Sequence, residues 1–141
     1  MQSRITSICI SRVYAGTAFI MQIIFPLSYK YFMHAGPVDM RKGFDGLYGV
    51  VLQSFKKEPL TEDVFIFLNK PRNKIKILHW QGDGFAIFYK RLEKGTYEIP
   101  LHQVGEKSII LSPQQLQFIL EGIVLKSVQK RRRYEQSIVN K

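Results

Sequence analysis

The stretch from Val64 to Glu93 most restricts what this chain can become, because it reads as three short strands laid end to end. Val64-Phe65-Ile66-Phe67-Leu68 is a continuous β-branched and aromatic run, and Asn69-Lys70-Pro71-Arg72-Asn73 carries turn chemistry. Lys74-Ile75-Lys76-Ile77-Leu78-His79-Trp80 then opens with polar–apolar alternation. Gln81-Gly82-Asp83-Gly84 supplies glycines for positive backbone angles, and Phe85 to Lys90 returns as a third antiparallel strand. Side chains of a strand alternate between faces, so Ile75, Ile77 and His79 share one face of the middle strand. Lys74, Lys76, Leu78 and Trp80 share the other, which gives one apolar face and one basic face bearing an aromatic.

The flanks add helices. Gln22 to Phe25 and Ser28 to His34 are strand-like, and the second run stops at Ala35-Gly36-Pro37. Asp39 is placed to cap a helix in which Met40, Phe44, Leu47, Val51 and Phe55 recur at helical spacing, up to the breaker Glu58-Pro59. Gly43, Gly46 and Gly49 each cost about 1 kcal/mol of helix propensity. Such a smooth strip implies close packing of the helix on the sheet, with a partner or a nucleic-acid backbone as the alternative. Thr96 to Pro100 reads as a last short strand and Leu101 to Ser108 as a polar loop. Ser112, Pro113 and Gln115 then form a helix start with a capping box, Leu111 can staple onto Leu116, and the helix ends near Gly122. The fold expected is α+β: a mainly antiparallel sheet of four to five strands, one amphipathic helix from Asp39 to about Phe55 packed on a face, and a shorter C-terminal helix.

A chain of 141 residues, 45% of them hydrophobic, suits one domain with a real core, placed here at residues 21–125. Residues 1–20 read as a poorly ordered extension, with Met21 as an alternative initiator, and residues 126–141 as a basic tail. Arg4 and Arg12 before the apolar run Val13 to Leu27 superficially resemble a secretory signal. Gly16, Thr17 and Pro26 break that pattern, and the run is too short and polar to span a bilayer. The single Cys9 excludes an internal disulfide framework, which with the missing signal points to the cytoplasm and away from membranes. A net charge of +10 calls for an acidic partner, nucleic acid first. The excess is uneven: Lys126 to Lys141 alone holds six Lys/Arg against one Glu.

Two strings are distinctive: Gly36-Pro37-Val38-Asp39-Met40-Arg41-Lys42-Gly43-Phe44-Asp45-Gly46-Leu47 and Tyr89-Lys90-Arg91-Leu92-Glu93-Lys94-Gly95. With Leu78-His79-Trp80 and Asp83-Gly84-Phe85 between them, the chain from about Tyr29 to Gly122 resembles the TnpB-type accessory protein (the second open reading frame) of the IS-sixty-six family of bacterial insertion sequences. The resemblance implies a small non-catalytic protein needed for transposition, working beside a separate transposase and a second small accessory protein. Gln81 directly after the tryptophan departs from the acidic residue found in many relatives, which weighs against a metal-binding acid there.

The residues themselves also argue against an enzyme. Metal-dependent strand cleavage needs carboxylates converging on ions about 4 Å apart. Asp39 has a capping use, Asp45 points well away from it on a helix, and Asp83 lies between turn glycines. His34, His79 and His102 lack ligand spacing, so neither metal nor cofactor is expected. Nucleic acid, DNA in the first place, is the better reading: phosphates need distributed cations, and unpaired bases stack on aromatics. Lys70, Arg72, Lys74 and Lys76 run through the first turn into the middle strand, Trp80 shares the lysine face, Tyr89-Lys90-Arg91 lies on the next strand, and Lys94 follows it. Arg41 and Lys42 sit where a helix dipole disfavours cations unless they serve a ligand, and Arg131, Arg132 and Arg133 extend the basic surface from the tail. The alternative is a protein-interaction adaptor that holds the transposase without touching DNA.

Overall fold

A computed structural model of the protein describes residues 28–58, 60–125 and 133. Five strands form one sheet in the order β4-β3-β2-β1-β5. In chain order these are β1 (Lys30–His34), α1 (Phe44–Val50) with a π-helical continuation Val51–Phe55, β2 (Asp63–Leu68), β3 (Lys74–Trp80), β4 (Phe85–Arg91), β5 (Ser108–Leu111) and α2 (Pro113–Glu121). The β2-β3-β4 meander is antiparallel throughout, as expected from Val64 to Glu93. β1 pairs in parallel with β2, and α1 makes the crossover that a parallel pair requires. β5 then closes the other edge, antiparallel to β1. The α+β expectation, a mainly antiparallel sheet with two helices, describes this architecture.

Both faces of the sheet are covered, and the alternation in the strands decides which residue goes where. Tyr31, Met33, Val64, Ile66, Ile75 and Ile77 meet Leu116, Ile119 and Leu120 of α2 on one side. Phe32, Phe65, Phe67 and Leu78 meet Leu47, Val51 and Phe55 on the other. β2 lies under both layers, which is why its sequence is an unbroken apolar run rather than an alternating one. α2 begins as expected: Ser112 Oγ accepts from the Gln115 amide at 3.1 Å, and Gln115 Oε1 accepts from the Ser112 amide at 2.9 Å. Gly122 ends it in the left-handed region at φ 82°.

Three expectations need correction. The first helix starts at Phe44 rather than beside Asp39, because residues 39–42 form a tight turn in which Lys42 N–H donates to Asp39 O at 3.1 Å. The glycine strip does not pack the helix onto the sheet: a Cβ at Gly43 or Gly49 would meet nothing within 4 Å, and one at Gly46 would meet only the Lys42 side chain. Thr96–Pro100 is not a strand. Its Tyr97 is fully buried and donates its amide to Arg72 O at 2.7 Å, while the last strand falls later, at β5. The Gln22 to Phe25 run, the extension at residues 1–20 and most of the basic tail lie outside the described residues.

His79 takes the apolar side of β3, next to the Tyr29 ring at 5.0 Å, and is 4% exposed. Burial depresses its pKa to about 4 from an ordinary 6.5, so the folded protein holds it neutral. The unfolded chain binds the extra proton first as pH falls. Stability is therefore full above about pH 6.5 and declines down to about pH 4, by roughly 3 kcal/mol in all. Urea unfolding across that window should show the slope, and His79→Phe should flatten it.

Candidate nucleic-acid interface

The turn between β2 and β3 is built by Asn69. Its Oδ1 accepts from the amides of Asn73 and Lys74 at 3.0 Å each, its Nδ2 donates to Asn73 Oδ1 at 2.7 Å, and its own carbonyl takes the Arg72 amide at 3.0 Å. These bonds hold Arg72 at φ 59°, a left-handed conformation that costs a non-glycine residue about 1 kcal/mol. A glycine would sit there without strain. Lys70 and Arg72 both stand exposed on it.

A second turn lies alongside, and a buried lysine fastens it. Lys76 is 8% exposed, and its ammonium donates to Met40 O and Lys42 O at 2.8 Å each, gripping the chain on both sides of Arg41. The same Nζ lies 4.6 Å from the centre of the Tyr89 ring. Desolvation pulls the Lys76 pKa down, and the Asp39 carboxylate partly opposes that. Asp39 itself accepts the Arg41 amide at 2.8 Å and a two-pronged bond from the Arg41 guanidinium, the closest contact being 2.7 Å. The hydrogen bonds from Arg41 hold the Asp39 pKa down at about 2.

Together the two turns make a basic corner at one end of the sheet. Lys70, Arg72 and Lys74 come from the β2–β3 turn and its exit, and Arg91 pairs across from Lys74 at the end of β4. Lys94 follows within a loop tied back by Leu92 N–H to Asn73 O and Tyr97 N–H to Arg72 O. Arg41 and Lys42 arrive on the turn that Lys76 fastens. Arg41 is ion-paired with Asp39 and Arg91 with Glu93, whereas Lys42, Lys70, Arg72, Lys74 and Lys94 have no ion pair among the described residues. Between the turns lies an open cleft of about 530 Å³, lined by Pro37 to Arg41, with the ion-paired Asp39 among them, and by Asn69, Lys70, Lys74 and Tyr89.

Other residues singled out in the sequence fall elsewhere. Lys76 is a buried strut. Trp80 is half-buried against Phe85, ring centres 5.0 Å apart, at the far end of β3, six residues or about 20 Å from Lys74. An open sheet face combining lysines with that tryptophan is thus ruled out, because α1 covers the middle of it. Lys90 pairs with Ile75 and so lies on the α2 side, its pKa lowered first by burial and then by Arg133. Arg133 packs 5.5 Å from the Tyr97 ring and donates to Thr96 O and Ile119 O, at the C-terminal end of α2. Arg131 and Arg132 lie outside the described residues. Tyr89, expected beside Lys90 and Arg91 on the third strand, pairs with Lys76 and lines the cleft.

No group of three His, Cys, Asp or Glu side chains among the described residues is arranged to hold a metal ion. No helix among them is long and apolar enough to cross a membrane. A small α+β protein with a basic corner is the class that fold and site define. The chain belongs to the family described as IS66 Orf2 like protein, whose model matches residues 29–130. Two uncharacterised proteins of Sinorhizobium fredii are similar to it. The protein y4hO is 35% identical over 88 residues, 62% of this chain and 75% of that protein. The protein y4jC is 29% identical over 87 residues, 62% and 73% respectively. No solved structure matches the chain.

Replacing Lys76 by Met tests the strut. The side chain stays apolar enough to remain buried, but the hold on Met40 O and Lys42 O is lost. Amide exchange at Arg41 and Lys42 should accelerate about ten-fold or more, the equivalent of one charge-assisted hydrogen bond. Unchanged protection of those two amides would mean that the turn stands without the lysine.

Proposed function

We propose that the chain is a non-catalytic accessory protein of insertion-sequence transposition that contacts DNA through its basic corner. Family membership supports the biological setting. The single observation that carries the contact is the group of five cations without ion pairs among the described residues, Lys42, Lys70, Arg72, Lys74 and Lys94, gathered from three separate segments at one end of the sheet. Cations so arranged neutralise successive phosphates and release their counterions. The strained Arg72 fits the same reading, since its conformation costs stability and brings a charge to the tip of the turn. On this account the protein works in the bacterial cytoplasm beside the transposase of the same element and a second small accessory protein.

The absence of a catalytic task is supported by where the carboxylates go. Asp39 is spent on Arg41, Asp45 lies in the first turn of α1, and Asp83 sits in the β3–β4 turn. The adaptor reading draws on one observation of its own. Edge strand β5 exposes Ile110 at 75%, near the exposed Leu101, which makes the opposite side of the sheet the natural place for a protein contact. The two roles use different surfaces and are compatible.

Binding to a duplex measured against salt should separate them. The joint substitution Lys70→Gln, Arg72→Gln and Lys74→Gln should reduce the slope of log affinity on log salt by about 2–3. Binding with an unaltered slope would move the contact away from the corner. A protein that binds no DNA at low salt yet co-purifies with the transposase would be an adaptor only. Asp39→Asn should tighten DNA binding several-fold at low salt by releasing Arg41 from its partner. Divalent-metal-dependent cleavage abolished by that same change would instead make Asp39 catalytic.

A further inference from the structure

We propose that the cleft between the two turns holds one nucleotide of an unpaired DNA strand, with its base stacked on Tyr89 and its phosphate held by Lys70 and Lys74. This rests on the DNA-binding reading and adds what kind of DNA the site selects. Tyr89 is half exposed and lines the cleft together with both lysines. Its ring lies 4.6 Å from the Lys76 ammonium, which is itself hydrogen-bonded to Met40 O and Lys42 O. A base that stacks on a pre-positioned ring pays little ordering entropy, and every base offers a face to it. Val38 and Met40 give the cleft apolar lining and Lys70 and Lys74 give it cations, while the Asp39 carboxylate, also in the lining, is paired with Arg41. Its volume of about 530 Å³ lies within the range of small-ligand sites, roughly 300–1,000 Å³. Bases inside a duplex are already stacked on their neighbours and cannot enter. The cleft is therefore a single-strand reader, set beside cations that hold phosphates of any strand.

The experiment uses the full chain and three probes at low salt: an oligothymidylate, an abasic strand of the same length and a blunt duplex, each followed by fluorescence anisotropy. The oligothymidylate should bind at least about five-fold more tightly than the abasic strand. Tyr89→Leu should erase that ratio, and Tyr89→Phe should preserve it. The pair Lys70→Gln and Lys74→Gln should weaken all three probes. Equal affinity for the oligothymidylate and the abasic strand, or a ratio that survives Tyr89→Leu, would overturn the nucleotide site. In either case the basic corner would stand if the lysine substitutions still weaken binding. Failure of all three probes to bind would overturn both readings.

Discussion

An ammonium taken out of water survives only if its protons are hydrogen-bonded, and Lys76 meets that condition with two backbone carbonyls from a segment thirty-odd residues away in sequence. The consequences run outward from this contact. The carbonyls of Met40 and Lys42 lie in the turn that precedes α1, which begins only at Phe44. The chain before it is held as a turn instead, carrying Arg41 outward and facing the Asn69 turn. The same charge pins Tyr89. One side chain of the central hairpin thereby fastens one wall of the cleft and contacts the ring that lines it, while Asn69 builds the facing wall.

Much of the fold was readable because local preference and tertiary need agree. The β2-β3-β4 meander follows from alternation and turn chemistry, and the capping box of α2 appears at the residues that spell it. The failures share a cause. Asp39 carries the signature of a helix cap, but its carboxylate closes a turn with Arg41, and a lysine distant in sequence binds the carbonyls on either side of that arginine. Ser108–Leu111 is too short to announce itself as a strand, yet pairing with β1 and burial of Ile109 and Leu111 make it one. The spacing of Gly43, Gly46 and Gly49 suggested contact with the sheet, but the first and last face open space and Gly46 lies against Lys42.

The site was legible in its parts but not in its arrangement. Charge counting found Lys70, Arg72, Lys74 and Arg91, and alternation put Lys76 on their face, but neither tells an exposed cation from one that has been consumed by the fold. Lys76 and Arg133 are consumed, the first by carbonyls below α1 and the second against Tyr97 and the end of α2. Trp80, the conspicuous aromatic, lies at the wrong end of its strand, and Tyr89 takes the position it was expected to fill. Asp39 and Glu93 temper the corner by pairing with Arg41 and Arg91. Those exposed pairs add little stability. Their effect is to concentrate the unbalanced charge on the turn from Lys70 to Lys74.

Where DNA meets the protein is the central claim, and a titration of the isotope-labelled chain with a short DNA, followed by backbone amide resonances, tests it most directly. The account places the perturbed amides at Val38 to Lys42, Lys70 to Lys74 and Tyr89 to Lys94, with β5 and the loop around Leu101 unmoved. Perturbations centred on Ile110 and its neighbours, or spread evenly over the surface, would contradict it.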